Sequence, residues 1–175
     1  TLHFHYPGYW IWVIPLRGGL VSVGVTGVPV RDAALRTPEG LRAFLERHRS
    51  MRELLADAKA IDFGSLAQIA YGTKRFFDTR RLALIGEAAT AVDPLYSPGS
   101  DFIALENDFV TELVAREQAG AEEADRARRT QLFDHILDLR HESVKRLYRG
   151  HYRMLGASGL MRLQTDLDIG AGHTP

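Results

Sequence analysis

The hydrophobic residues of this chain change period part-way along. From Leu2 to Val28, apolar and polar residues alternate in steps of two, the repeat of a strand with one buried face. From Phe102 onward they recur every three or four residues, the repeat of a helix with one apolar stripe. A chain that makes this switch once, strands early and helices late, is an α+β fold rather than a repeating strand–helix array. The expectation is an antiparallel sheet within residues 1–77, a strand at 82–85 and then two long helices.

Taken in detail, Leu2-His3-Phe4-His5-Tyr6 reads as a strand and Pro7-Gly8 as a turn. Tyr9 to Leu16 and Leu20 to Val28 read as a hairpin closed by Arg17-Gly18-Gly19, since paired glycines accept a tight turn's dihedrals. Trp10, Trp12 and Ile14 share one face of the first hairpin strand, an aromatic row that commonly packs a sheet against helices. Thr37-Pro38-Glu39 supplies an N-cap, a proline at the first helical position and an acid in the first turn. The helix that follows carries Leu41, Phe44, Leu45, His48, Met51, Leu55 and Ala58 on its apolar stripe. Leu66 to Tyr71 reads as another strand, and Asp78-Thr79-Arg80 as a turn into the short apolar run Leu82 to Ile85, a buried strand.

Phe102, Leu105, Phe109, Leu113 and Val114 mark a helix ending near Gly120. A second helix spans about Ala121 to Tyr152, its face formed by Phe133, Ile136, Leu137, Val144, Leu147, Tyr148 and Leu155. Arg126, Arg128 and Arg129 beside Glu122 and Glu123 read as a solvated charged face. Leu160 to Ile169 is weakly helical, and Gly170 to Pro175 reads as a loose tail.

Composition narrows the function. With 45% apolar residues the chain can bury a core. Its 22 basic and 22 acidic residues cancel, which gives no electrostatic reason to expect nucleic acid or an anionic membrane. No apolar run approaches the roughly 20 residues of a membrane span. Cysteine is absent, so disulfides and thiolate metal ligands are excluded. His3 and His5 share a strand face, but no third ligand accompanies them, so no metal site is expected. A cytoplasmic protein is the default expectation. The chain opens at Thr1 inside a strand pattern, as a fragment would.

One stretch carries more chemistry than the rest: Ile85-Gly86-Glu87-Ala88-Ala89-Thr90-Ala91-Val92-Asp93-Pro94-Leu95-Tyr96-Ser97-Pro98-Gly99-Ser100-Asp101-Phe102. It joins a strand to a helix through a long loop. Gly86 lets a ligand approach the backbone closely. Ser97, Ser100 and Asp101 are N-cap residue types, and Gly99 allows a sharp entry to the helix. A helix N-terminus presents free N–H groups and partial positive charge. Local physics alone also accepts a purely structural connection, because strand-to-helix loops need this turn chemistry.

Gly86-Glu87-Ala88-Ala89 followed by Asp93-Pro94-Leu95-Tyr96-Ser97-Pro98-Gly99 resembles the second flavin-binding motif of FAD-dependent monooxygenases and flavin-dependent halogenases. Trp10-Ile11-Trp12-Val13-Ile14-Pro15 resembles the halogenases' Trp-x-Trp-x-Ile-Pro signature. The resemblance covers roughly residues 6–155 and implies the C-terminal part of an α/β FAD-binding oxidoreductase fold. It divides the chain into 1–81, a sheet and helix of the substrate-binding region; 82–119, the flavin motif; and 120–175, a helical region.

The resemblance further implies FAD as cofactor, with Gly86, Glu87, Pro94, Gly99, Ser100 and Asp101 bordering it. Ser97 falls on the catalytic side, and Trp10, Trp12, Tyr96 and Pro98 lie near flavin or substrate. It implies a reaction in which reduced FAD, supplied by a separate flavin reductase, and O2 oxidise halide. An electron-rich aromatic, sometimes tethered to a carrier protein, is then halogenated. A monooxygenase without halide chemistry, or a non-catalytic binding module, are the alternatives.

Three departures matter. Glu87 stands where the motif usually has Asp. Tyr96 stands where tryptophan halogenases carry a catalytic Glu, while phenol- and pyrrole-type enzymes have an aromatic there. Pro98, lacking an N–H, stands at one of two backbone positions that hold chloride in the family. No Gly-x-Gly-x-x-Gly occurs in the chain, and Lys59, Lys74 and Lys145 match no catalytic-lysine motif.

Overall fold

The computed structural model describes residues 1–27 and 32–172. The expected strand end at Val28 and the last tail residues, 173–175, lie outside the described residues. The architecture is α+β, a small antiparallel sheet followed by long helices. The chain divides into two compact units, residues 1–67 with 150–175, and residues 68–149.

The first unit is built on a three-stranded antiparallel sheet: β1 (Leu2–Tyr6), β2 (Tyr9–Pro15) and β3 (Val21–Gly27), in that order. Gly18 and Gly19 take φ of 76° and 74° in the β2–β3 turn, the left-handed region that glycine enters without steric cost. The register places His3 opposite Trp12 and His5 opposite Trp10, so these four share one face. Ile11 and Val13 point the other way, and they form the core with Leu45 and Met51 of two helices, α1 (Pro38–Leu45) and α2 (Arg49–Leu54).

The expected role of the tryptophan row is therefore corrected. The period of two is right, but the aliphatic face meets α1 and α2, not the aromatic one. The single helix expected over this stretch is two. Thr37 caps α1 as anticipated, its Oγ1 accepting from the Gly40 N–H at 3.1 Å. His48 is extended (φ −98°, ψ 121°) and interrupts the helix before α2.

In the same unit stand α5 (His151–Met154) and α6 (Ser158–Gly172). Gly156, at φ 87°, abuts Pro7 so closely that a Cβ there would lie 2.6 Å from Pro7 Cδ. This contact ties the far end of the chain to the β1–β2 turn. The second long helix of the sequence reading stops early: α4 spans Glu123–Tyr148, and Gly150 at φ 94° separates it from α5. Helix α6 is continuous through Gly170, so the tail does not begin there.

The second unit packs α4 against α3 (Gly99–Gln118) and a short antiparallel pair, β4 (Phe77–Asp78) and β5 (Leu82–Ala83). Its core is Phe76, Phe77, Ala89, Phe133 and Leu137. Phe109 of α3 and Phe133 of α4 stack with centroids 3.9 Å apart. Asp134 of α4 accepts from the N–H groups of Phe76 (2.7 Å) and Phe77 (3.0 Å), which fixes β4 to the helix.

Helix α3 ends as its sequence suggests. Gly120 sits at φ 76°, its N–H donates to the Glu117 carbonyl, and the Ala121 N–H donates to that of Arg116. This is the paired-bond glycine stop.

Three expectations fail here. Leu66 to Tyr71 forms no strand; a lone bridge pairs Tyr71 with Ala91. The strand at 82–85 shortens to Leu82–Ala83, with Leu82 half exposed, because only β4 is present to pair with it. The arginines of α4 are not a uniform solvated face. Arg129 pairs with Glu112 of α3 at 2.7 Å and Arg126 with Glu117 at 3.4 Å, while Arg128 remains exposed beside Asp125.

Candidate functional site

The loop between β5 and α3 opens with a 3-10 turn, Gly86–Ala88. Gly86 has φ 58°, and a Cβ there would lie 3.1 Å from Ile103 Cγ1 of α3. Both the dihedral and the contact favour glycine. The N–H of Gly86 donates to Glu106 Oε2 at 2.6 Å. Glu106 lies on α3 and is fully buried; its Oε1 has no hydrogen-bond partner. Burial pushes the Glu106 carboxyl above the usual glutamate range, opposed by the Gly86 N–H. This residue, unmarked in the sequence reading, anchors the turn to the helix. Its signal was a charged residue four positions after Phe102, inside the apolar stripe of α3.

Glu87 points to solvent; the structure records no partner for its carboxylate. Its carbonyl accepts a hydrogen bond from the Tyr71 hydroxyl. Asp93 caps a second 3-10 turn, Pro94–Tyr96, by accepting from the Leu95 N–H at 3.0 Å. The Tyr96 N–H donates to the Tyr148 hydroxyl at 3.1 Å, and the two rings lie 5.6 Å apart.

The start of α3 differs from the expected cap. Ser97 closes the preceding turn in the left-handed region (φ 52°, ψ 43°), and Pro98 occupies the N-cap position with helical dihedrals. Proline's ring holds φ near its helical value, so the helix begins one residue beyond it. The sharp turn thus falls on Ser97 rather than Gly99. Neither Ser97, Ser100 nor Asp101 caps the helix with its side chain. The first-turn N–H groups of Gly99, Ser100 and Asp101 have no intrahelical acceptor, and nothing lies within 4 Å of a Cβ built on Gly99. Gly99, Ser100 and Asp101 are exposed, as is Pro94.

Trp10 and Trp12 belong to the first unit. Their rings lie 5.6 Å apart, and Trp10 also meets the His3 ring at 5.0 Å. Trp12 covers Gly24 so closely that any Cβ there would overlap its indole, and its Nε1 donates to Ser22 Oγ at 3.3 Å. Trp10 is buried, and its Nε1 has no partner; His5 Nε2 on the same face is likewise unpaired. Burial lowers the pKa of both His3 and His5. Among the described residues no three His, Asp or Glu side chains converge as a metal site. No helix among them is long and apolar enough to cross a membrane.

Comparison with curated proteins bears on these two motifs together. The flavin-dependent halogenase chlA of Dictyostelium discoideum is 31% identical over 166 residues. That alignment covers 92% of this chain. Over this span the chain resembles a flavin-dependent halogenase. It spans 27% of the length of this relative. No family model matches the chain.

Kinship with a flavin-dependent family raises the question of whether these residues suit a flavin. The open N-terminus of α3 offers backbone donors to the negative edge of a reduced isoalloxazine. The exposed Glu87 carboxylate is the kind of acceptor that a ribityl hydroxyl would use. Asp101 in the first turn works against an anion, since it already complements the helix dipole. The donor set fits a flavin, with Asp101 the discordant charge.

A second feature of the halogenase-like chain was not singled out in its sequence. His141 of α4 is buried, and its Nδ1 lies 2.9 Å from the Thr90 hydroxyl in the motif loop. The rings of Phe76 and Phe102 meet it edge-on at 6.0 and 6.2 Å. Burial is the main cause that lowers its pKa; Lys145 acts in the same direction, and Glu142 and Asp138 oppose it. Its sequence signal was slight, a histidine one helical turn after Leu137.

Proposed function

We propose that this chain carries the second flavin-binding motif of an FAD-dependent enzyme that halogenates an electron-rich aromatic compound. Reduced FAD, when bound, supplies the electrons that activate O2 for halide oxidation. The observation that carries the reading is the uncapped N-terminus of α3 beside the glycine turn, with Glu106 linking the two.

In this reading residues 82–119 hold the cofactor, 1–81 contribute the substrate side and 120–175 the helical support. Gly86 allows close approach of the backbone. The Glu87 carboxylate accepts hydrogen bonds from the ribityl chain. The N–H groups of Gly99 and Ser100 stabilise negative charge at the flavin's pyrimidine edge, with Pro94 and Asp101 bordering it. Ser97 lies on the catalytic side. Trp10 and Trp12 are assigned near the flavin on their motif alone. Tyr96 at the position of the tryptophan-halogenase Glu favours a phenol or pyrrole over an indole, free or tethered to a carrier. A separate flavin reductase supplies the reduced cofactor, and the cytoplasm is the compartment where such a reductase is available.

One observation favours a second reading, a monooxygenase without halide chemistry: Pro98 offers no N–H where the family binds chloride. Flavin titration of the intact natural protein tests the cofactor site. Glu87→Ala should weaken FAD binding by about 1.5–3 kcal/mol, the scale of a hydrogen bond to a charged group. Unchanged affinity overturns the assignment. Product mass with and without bromide, using a simple phenol, separates the two readings.

A further inference from the structure

The motif loop is pinned along its length by its own compact unit. The Gly86 N–H goes to Glu106, the Glu87 carbonyl takes the Tyr71 hydroxyl, and Ala91 exchanges backbone hydrogen bonds of 2.9 and 3.1 Å with Tyr71. Between these points the Thr90 hydroxyl meets His141 Nδ1, while the Thr90 N–H donates to the Gly86 carbonyl at 3.1 Å. Thr90 therefore links the glycine turn to α4 through His141. The same imidazole packs on Phe102 in the first turn of α3, so it touches both the loop and the start of the helix that follows. With Tyr71, Gly72 and Lys145 it also lines an open-mouthed cavity of about 200 Å³. A Cβ on Gly72 would lie 3.2 Å from His141 Nε2, so the glycine keeps the approach to that nitrogen clear.

We propose that His141 is a positioning residue for this loop: its neutral ring clamps Thr90 and Phe102 together, and a proton taken up from the cavity releases the clamp. While the ring is neutral, either partner of the Nδ1–hydroxyl bond can be the donor; an imidazolium can only donate, and the hydroxyl must then accept. The added charge is also buried among apolar rings. On its own helix Lys145 repels it, while Glu142 and Asp138 oppose that repulsion. The other elements packed on the ring bring Thr90, Gly72, Phe76 and Phe102, none of them charged, and the cavity wall adds the Tyr71 phenol.

The direction of the pH effect follows. Burial is the main cause that holds His141 below its ordinary value of 6.5. Opening the loop wets the ring and returns it toward 6.5, so the open loop binds a proton that the closed loop excludes. The clamp is at full strength above 6.5, weakens as pH falls from there to the lowered value, and is level below it. Glu106, at the glycine end of the loop, is shifted the other way, and comparison with a variant at position 141 cancels its contribution. A cofactor that binds the closed loop follows the same window. That the loop holds a flavin rests on the function proposed above; that His141 sets its closure does not.

Two measurements on the intact natural protein test this between about pH 7.5 and about pH 5.5, the range in which histidine titrates. One is the hydrogen-exchange protection of the amides of residues 86–91 without flavin, and the other is FAD affinity by fluorescence titration. Both should fall about three- to tenfold in wild type, within the roughly tenfold per pH unit that one proton allows. His141→Asn keeps a hydrogen-bonding group beside Thr90 and takes up no proton; it should match wild type at the upper pH and lose the fall. Thr90→Val removes the hydroxyl and should lower protection and FAD affinity about five- to tenfold at the upper pH, the scale of one hydrogen bond. It gives the deciding measurement if circular dichroism shows the Asn variant unfolded. Level wild-type curves, an Asn variant that repeats the wild-type fall, or a Thr90→Val variant indistinguishable from wild type overturns the proposal. Absence of FAD binding at every pH with pH-dependent protection intact refutes the flavin reading alone; FAD binding that ignores pH refutes the clamp alone.

Discussion

Glu106 offers the sharpest test of how this loop is held. It is a fully buried carboxyl whose one recorded hydrogen bond is to the Gly86 N–H, 2.6 Å away, and Gly86 is in the left-handed region at φ 58°. Glu106→Ala removes the acceptor and strands that N–H, a cost of about 1–3 kcal/mol. Glu106→Gln keeps an acceptor for the N–H and eliminates the ionisable group. The alanine variant should therefore be clearly destabilised and the glutamine variant at least as stable as wild type at pH 7.

The pH dependence supplies the second half of the test. Burial raises the Glu106 pKa above its ordinary value of 4.5, so the folded state holds this proton more tightly than the unfolded chain does. Its contribution is then fully present below 4.5 and is lost as pH rises through the raised folded value. Wild type minus Glu106→Gln, measured by urea denaturation at a series of pH values, should show stability falling across that window and level above it. Other carboxylates cancel in the difference, including Asp78, which Arg80 and Arg75 hold far below the usual range. A flat difference curve, or an alanine variant as stable as wild type, would refute the reasoning.

Other substitutions test neighbouring claims. Gly86→Ala forces a side chain into the left-handed region and against Ile103, and should cost at least about 1–2 kcal/mol in urea denaturation with weakened FAD binding. Phe133→Ala removes one ring of the stacked pair at the centre of the second unit and should lower stability by about 3–5 kcal/mol, read from the same denaturation midpoint. Pro98→Thr restores a backbone N–H at the start of α3; halide affinity should rise about ten- to a hundredfold in a halide-dependence assay of the intact enzyme, the scale of one charge-assisted hydrogen bond. Halide affinity unchanged by Pro98→Thr would remove Pro98 from the account.

Local pattern was enough for the elements whose cause is local. The alternation of residues 2–27 made the sheet, Thr37-Pro38-Glu39 opened α1, and Gly120 closed α3 with the two bonds its left-handed conformation permits. Each depends on residues within a few positions of one another. The two motifs were legible for the same reason, being short runs of residue types at set spacing, and kinship with a halogenase accords with them.

What stayed hidden depended on partners distant in sequence. Glu106 reads as an intruder on an apolar stripe until α3 meets a turn twenty residues earlier. His141 is unremarkable until α4 brings it to Thr90, fifty-one residues away. Periodicity grouped Trp10 with Trp12 but left open which face of β2 the helices would cover; packing chose Ile11 and Val13, which fit against Leu45 and Met51. Leu66 to Tyr71 had strand composition, yet only one bridge formed, because a strand needs a neighbour to satisfy its backbone and the fold supplies one at Ala91 alone. The sequence by itself determined the first sheet, the opening of α1, the stop of α3 and the family motifs, which follow from backbone preference and residue spacing. The tertiary structure alone decided which face is core, which carboxyl is buried and which histidine faces a cavity, since desolvation and hydrogen bonding at those positions depend on groups that only folding brings together.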